Sequence, residues 1–196
     1  MPRIDDVLVV GVGGQGIILA TDVIAEVFLR AGFDAKKSEV HGMAQRGGSV
    51  ESHVRRGESV HSPLISPGRV QVLLALEGLE ALRYAHTLNP QGTIIFDPQR
   101  IPPLSVATGA QEYPDDLTDQ LSRYAAQVTE VKGYEIASKL GNARAQNSVL
   151  MGALASLTEL PRDLWLEVLD SRVPAKAVEV NRRAFERGLE SMSENR

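Results

Sequence analysis

The fold is decided by residues 7–17, which read VLVVGVGGQGI. An apolar run is followed by glycines in the spacing G-x-G-x-x-G, and a periodic apolar segment begins directly afterwards. Glycine is needed where φ is positive or where the backbone approaches another group closely. The pattern therefore predicts a buried strand, a tight turn and a helix. The N-terminus of such a helix presents free N–H groups and a positive dipole end, which suits an anion.

This first turn supplies the first candidate binding residues: Gly11, Gly13, Gly14, Gln15 and Gly16. A turn that needs glycine for geometry alone explains the pattern equally well. A dinucleotide site also needs an acid at the end of the second strand for the ribose, and Glu39 stands there. The His41-Gly42 turn that follows argues against that alternative, because a crossover helix is expected at this point in a dinucleotide fold.

A second glycine-rich segment, SEVHGMAQRGGSV at residues 38–50, runs from one strand through a polar loop into another. A loop of this kind can bind an anionic ligand or dock the backbone of a partner, and it can also be a plain hairpin connection. Its candidate binding residues are His41, Gln45, Arg46, Gly47, Gly48 and Ser49. We predict that strands one and two are parallel neighbours, since a helix joins them. Both turns would then lie at one edge of the sheet.

The remaining periodicity predicts one α/β domain over residues 1–196, with three α/β/α layers. Its sheet is mostly parallel and Rossmann-like, with a hairpin-like insertion. The predicted strands are residues 6–12, 34–40, 49–56, 70–76, 93–97 and 128–131, and the third reads as an edge strand or one with a wetter face. The predicted helices are residues 17–31, a helix through Leu79 and Leu82, 114–126, 134–140 and 143–157, and two that begin at Pro161 and Pro174. The Ala-, Gly- and Ser-rich helix at 143–157 can pack very close to a neighbour.

Composition excludes several classes of function. The net charge of −4 gives no basic field for nucleic acid, and no apolar run approaches the roughly 20 residues of a membrane span. The chain has no cysteine, so it holds no disulfide, thiolate-ligated cluster or cysteine nucleophile. Its four histidines lack metal-ligand spacing, and the acids Glu77 and Glu80 are explained by a helix N-terminus. We expect a cytoplasmic chain without a metal site or catalytic residues of its own.

Four motifs of the chain resemble the gamma chain of 2-oxoacid:ferredoxin oxidoreductases, a family that includes pyruvate and ketoisovalerate oxidoreductases. They are GVGGQGI at 11–17, SEVHGMAQRGGSV at 38–50, LEGLEALR at 76–83 and GNARAQNSVLMGA at 141–153. The resemblance runs across nearly the whole chain, and it is closest to the indolepyruvate branch of the family.

The resemblance implies an enzyme that oxidatively decarboxylates a 2-oxoacid to an acyl-CoA and passes the electrons to ferredoxin. Thiamine diphosphate, Mg and the iron–sulfur clusters are then expected on partner chains, with CoA as a cosubstrate. This chain is expected to bind no cofactor alone, to be inactive in isolation, and to contribute assembly and closure of the active site on the CoA side. An NAD(P)-binding oxidoreductase domain and a purely structural partner subunit remain as alternatives, and a homodimer is an expected state of the isolated chain.

Overall fold

The computed structural model describes residues 4–41 and 48–194, which form one six-stranded sheet with helices on both faces. The strands are β1 (Asp6–Val12), β2 (Asp34–His41), β3 (Ser49–Gly57), β4 (Val70–Ala75), β5 (Leu88–Phe96) and β6 (Gln127–Glu130). The helices are α1 (Ile17–Arg30), α2 (Gly78–Tyr84), α3 (Leu104–Ala107), α4 (Leu117–Leu121), α5 (Gly133–Lys139), α6 (Gln146–Ala155), α7 (Arg162–Arg172) and α8 (Val178–Glu194). No helix in these ranges is long and apolar enough to cross a lipid bilayer.

The strand order is β2-β3-β1-β4-β5-β6. The pairs from β1 through β4 and β5 to β6 are parallel, whereas β3 is antiparallel to both β1 and β2. The predicted three-layer fold with a mostly parallel sheet is therefore confirmed. The predicted neighbourhood of β1 and β2 is wrong: β3 pairs with β1 along its whole length and separates the two. For the same reason β3 is not an edge strand.

Alternation along the buried strands sends side chains into two cores. Val7 and Val9 of β1 pack on the face covered by α1, α6, α7 and α8, whereas Leu8 and Val10 pack on the face covered by α2 and α4. The first core is the larger and contains Trp165 of α7. Continuous apolar runs such as that of β1 are the expected signature of strands buried on both faces.

Several predicted boundaries differ from the structure. The strand predicted over residues 93–97 begins earlier, at Leu88, and this β5 pairs with β4 through a register shift. The helix predicted over 114–126 is only the short α4. The helix predicted over 143–157 begins as a three-residue 3-10 turn, in which the side chain of Asn142 accepts from the N–H of Arg144. These are segments where proline or a capping side chain, rather than apolar periodicity, sets the local conformation.

The packing of α6 against α8 depends on two glycines. A Cβ atom at Gly152 of α6 would collide with the backbone carbonyl of Phe185, and one at Gly188 of α8 would collide with the carbonyl of Val149. Each helix therefore lies with its backbone directly against the other. The close approach that the small residues of α6 predicted is confirmed.

We expect Gly152→Ala and Gly188→Ala each to lower the free energy of unfolding by about 3 kcal/mol, because the added methyl meets backbone atoms that cannot rotate away. For a chain of this size the melting temperature should fall by roughly 6–12 °C. Thermal and urea unfolding measure the change. Arg187→Ala, a neighbouring half-exposed position, is the control and should change stability by less than about 0.5 kcal/mol. A wild-type melting temperature in either glycine variant would contradict this account of the helix contact.

Candidate functional site

The first glycine-rich turn connects β1 to α1 at the carboxyl edge of the sheet. Gly14 and Gly16 have φ values of 108° and 83°, in the left-handed region that favours glycine. The N–H of Gly13 donates to the carbonyl of Gly48 at 2.9 Å, directly before β3 begins. A backbone hydrogen bond thus joins the first turn to the end of the second glycine-rich segment.

The structure brings several predicted site residues together at this edge. Gly11 pairs with Val50 and Val12 with Ser49, while His41 at the end of β2 pairs with the same Val50 from the other side. Gly48 and Ser49 therefore lie beside the first turn. Gln45, Arg46 and Gly47 lie outside the described residues, as does the side chain of His41. Gly11 is buried within the fold, while Gly14 is exposed.

Gln15 does not point outwards as a binding residue would. Its Oε1 accepts from the N–H of Val12 at 2.7 Å, and its Nε2 donates to the carbonyl of Leu76 at 2.7 Å. The side chain of Gln146, at the start of α6, donates to the same carbonyl at 2.8 Å and to Asp97 at 2.8 Å. Two amide side chains thus meet in the crevice between the ends of β1 and β4. Nothing in the sequence indicated that Gln146 takes part in this contact.

Asp97 is a buried carboxylate at the end of β5 that holds three elements together. It accepts from the N–H of Gln99 at 2.9 Å, the N–H of Tyr134 at 2.6 Å and the side chain of Gln146. Burial raises the pKa of Asp97, and these three hydrogen bonds act in the opposite direction. Because Tyr134 lies in the first turn of α5, the carboxylate also satisfies a free N–H of that helix.

Asn147 of α6 touches the first turn from inside. Its Nδ2 donates to the carbonyl of Gly16 at 3.1 Å, and a Cβ atom at Gly16 would lie 2.6 Å from that nitrogen. Its buried Oδ1 has no hydrogen-bond partner in the described part of the chain. A buried acceptor without a donor is uncommon and costly in native proteins. The turn therefore has an unsatisfied polar atom close behind it.

A second buried carboxylate connects the sheet edge to α2. Ser49 donates to Glu80 at 2.5 Å, and its hydroxyl lies 3.2 Å from that of Tyr84. Burial raises the pKa of Glu80, while the bond from Ser49 and the charge of Arg83 lower it. The sequence pattern explained Glu80 by the helix N-terminus, and it gave no signal for this contact across the fold.

Glu77, by contrast, fits the predicted role at a helix start. Its carboxylate accepts from the N–H of Glu80 at 2.9 Å and caps α2. The other carboxylate oxygen accepts from the hydroxyl of Tyr113 and the N–H of Ile101. Desolvation and this carboxylate raise the pKa of the Tyr113 phenol. These two hydrogen bonds hold the segment after β5 against the start of α2.

The arrangement of strands argues against a dinucleotide site. Such a site places the acid of strand two next to the end of strand one, but here β3 lies between them. The carboxylate of Glu39 instead lies 2.7 Å from the ammonium of Lys37 on its own strand. The crevice itself is filled by Gln15 and Gln146. The described residues also contain no cluster of three or more metal-ligating side chains.

A cavity of about 340 Å³ opens beside the ends of β5 and β6. Its charged lining consists of Arg100, Asp115, Asp116, Asp119 and Glu130. Arg100 pairs with Asp115 at 2.8 Å, so the balance of charge is acidic. This acidic cavity therefore does not suit an anion.

We expect Glu80→Gln to change how stability depends on pH. The pKa of Glu80 is raised in the folded chain, so its contribution to stability is present below the ordinary pKa of Glu and is lost as the pH rises through the raised value. The variant should therefore gain stability relative to the wild type as the pH rises above the ordinary pKa of Glu and through the raised pKa of Glu80. Urea unfolding across that range measures the difference.

Glu135→Gln is the matched control with the opposite sign. The hydrogen bond from Lys139 lowers the pKa of the exposed Glu135, so its contribution is present at higher pH and is lost on acidification. Parallel pH profiles for the Glu80 variant and the wild type would refute the raised pKa of Glu80.

We expect Gly16→Val to destabilise the chain by about 3 kcal/mol, because a β-branched side chain meets both a positive φ and the amide of Asn147. Gly14→Val is the matched comparison, since Gly14 shares the positive φ but no described atom lies within 4 Å of an added Cβ. The difference in melting temperature between the two variants measures the contact with Asn147. Equal melting temperatures would mean that this contact imposes no constraint.

The chain is similar in sequence to proteins of one known family. A family model for pyruvate ferredoxin/flavodoxin oxidoreductases matches residues 6–191. Indolepyruvate oxidoreductase subunit IorB of Archaeoglobus fulgidus is 40% identical over 187 residues, which cover 93% of this chain and 92% of that protein. IorB of Thermococcus kodakarensis is 36% identical, with 96% of each chain covered.

Among solved structures, the gamma subunit of a keto/oxoacid ferredoxin oxidoreductase from Geobacter sulfurreducens superposes with a TM-score of 0.73 at 26% identity, covering 97% of this chain and 99% of that chain. The family resemblance of the four sequence motifs is confirmed. The chain therefore belongs to the pyruvate ferredoxin/flavodoxin oxidoreductase family, as a subunit of a 2-oxoacid:ferredoxin oxidoreductase.

Proposed function

We propose that this subunit serves an enzyme that oxidises an arylpyruvate such as indolepyruvate to an acyl-CoA, and that it closes the active site on the side where CoA enters. The two sequence relatives described above are named for indolepyruvate, which supports the substrate class. The observation that carries the site is the meeting of the two glycine-rich segments at one edge, through the bond from Gly13 to Gly48.

The division of labour follows from the residues that the chain has. Iron–sulfur clusters are held by cysteine thiolates, and the chain has no cysteine. We therefore assign the clusters, thiamine diphosphate and Mg to partner chains, with ferredoxin reached through the assembled complex. Thiamine diphosphate supplies the carbanion chemistry of decarboxylation when it is bound there. This chain's own contribution is to bind and orient CoA and to shield the active site from water.

The glycine edge suits the phosphate groups of CoA for three physical reasons. Gly14 and Gly16 place no side chain in front of the backbone N–H groups at the start of α1, and the N-terminus of this fourteen-residue helix adds a positive dipole end. Arg46, between the described residues of the second segment, supplies the positive charge that a phosphate favours.

We expect Arg46→Ala in the assembled enzyme to raise the KM for CoA by about 10- to 100-fold, the loss that corresponds to one charge-assisted hydrogen bond. Yield of the complex should stay normal. Arg183→Ala, an exposed arginine of α8, is the matched control and should leave both quantities unchanged. Steady-state kinetics at varied CoA, together with size-exclusion profiles, measure the two effects.

The alternatives give different results in the same experiment. If the segment only docks a partner, Arg46→Ala reduces assembly, and the surviving complex keeps its dependence on CoA. Normal assembly with normal CoA dependence would reject a role for Arg46 in either. Turnover of a 2-oxoacid by the purified chain without partners would overturn the assignment of the chemistry to other subunits.

A further inference from the structure

The strand β2 ends the sheet and leaves one side of its backbone open, since it pairs with β3 alone among the described strands. The N–H of Arg56 donates to Asp5 at the β1 side, so the even-numbered residues of β3 bond towards β1 and the odd-numbered ones towards β2. Through the observed register, Ala35, Lys37 and Glu39 present their backbone groups outwards. An edge of this kind is a template for pairing with another strand.

The helix beside this edge carries an unusual surface. Ile18 and Leu29 of α1 are 46% and 48% exposed, and with Asp22 they fall on one narrow stripe of the helix. Asp22 lies 2.5 Å from the ammonium of Lys37, so the stripe borders β2. Val40, on the other face of β2, is a third large apolar side chain that is 43% exposed.

The opposite flank of α1 is already occupied. Glu26 and Arg30 pair there with Arg172 and Glu167 of α7. The exposed apolar stripe therefore lies on the side of α1 that faces away from α7, next to β2.

From this border we infer that a second copy of the chain pairs with β2 in antiparallel fashion, around a two-fold axis at Ser38. This inference is independent of the proposed function. Around such an axis, opposed residues must lie on the same face of the strand, so only registers centred on a residue are possible. A centre at Lys37 would oppose two lysines, and a centre at Glu39 would oppose two glutamates. The centre at Ser38 opposes each Lys37 to Glu39 of the other copy, twice by symmetry.

The backbone agrees with this register. Lys37 and Glu39 both present outward N–H and C=O groups, so they form hydrogen-bonded pairs across the axis. Ser38 bonds towards β3 and meets its own copy in a non-hydrogen-bonded pair, where side chains come closest. Lys36 then lies opposite Val40 of the second copy, and its aliphatic stem covers the exposed side chain.

The same axis accounts for the stripe on α1. The midpoint between Ile18 and Leu29 falls next to Asp22, and Asp22 contacts Lys37, the neighbour of Ser38. A two-fold axis at Ser38 therefore sets the two copies of α1 antiparallel, with Ile18 of one facing Leu29 of the other. Backbone pairing, complementary charges and two exposed apolar side chains thus point to one partner, a second copy of the chain.

Cysteine cross-linking tests the register directly, because the chain has no native cysteine. In a non-hydrogen-bonded pair the Cα atoms are about 4.5 Å apart, which a disulfide can span. Ser38→Cys should therefore give mainly disulfide-linked dimers under mild oxidation at micromolar concentration. Lys36→Cys, on the same face two residues away, should stay monomeric on a non-reducing gel. Absence of the Ser38 cross-link, or equal cross-linking of both variants, would overturn the inference.

Charge reversal tests the partner independently of any disulfide. Lys37→Glu opposes two glutamates and Glu39→Lys opposes two lysines, so each variant alone should dimerise about tenfold or more weakly than the wild type in analytical ultracentrifugation. Mixed together, the two variants regain opposite charges at both positions and should form a heterodimer. Any effect of a substitution on the fold of its own chain is the same whether the variant is alone or in the mixture. Failure of the mixture to associate would therefore reject the register.

Discussion

The antiparallel pairing of β3 with the whole length of β1 is the constraint on which the other features depend. It carries Gly48 and Ser49 to the first glycine turn, where the N–H of Gly13 closes the contact. It also moves β2 outwards by one strand, to the end of the sheet. A single choice of strand partner therefore creates the glycine edge and, at the same time, makes β2 the end strand of the sheet among the described residues.

The helices that follow the parallel neighbours β1 and β4 lie on opposite faces of the sheet, and open α/β sheets commonly bind ligands in the crevice at such a point. In this chain the crevice contains the buried carbonyl of Leu76, with amide donors from Gln15 and Gln146. A buried carbonyl without a donor would cost about 1–3 kcal/mol. The two side chains remove that cost and lie in the crevice between the ends of β1 and β4.

Sequence reasoning succeeded where local pattern controls structure. The continuous apolar run of β1, the glycines at Gly14 and Gly16 and the small residues of α6 each specify a conformation or a close contact nearby. Sequence reasoning failed where the structure depends on which of several distant strands pair with each other. The hydrophobic pattern of residues 49–57 fits a strand in several positions of a sheet, and it does not say that β1 is its neighbour.

The polar contacts of the site show the same limit. Ser49 and Glu80 are thirty-one residues apart, and Gln146 reaches Leu76 across seventy residues. Such pairs leave no periodic signal in a single sequence. Glu77 was predictable because its cap is formed three residues away, on the same helix. Contacts at helical spacing can therefore be read from the sequence, whereas contacts that join the ends of different strands cannot.

The two surfaces, the glycine edge and the outer side of β2, are compatible in one assembly. A two-fold axis at Ser38 runs β2 antiparallel to its copy, so the carboxyl edges of the two sheets point in opposite directions. Each copy then offers its glycine turn to a separate partner, without competition from the other copy. A side-by-side parallel arrangement would instead crowd both turns at one edge. The charge pattern of Lys37 and Glu39 favours the antiparallel arrangement, and that arrangement leaves both candidate sites accessible.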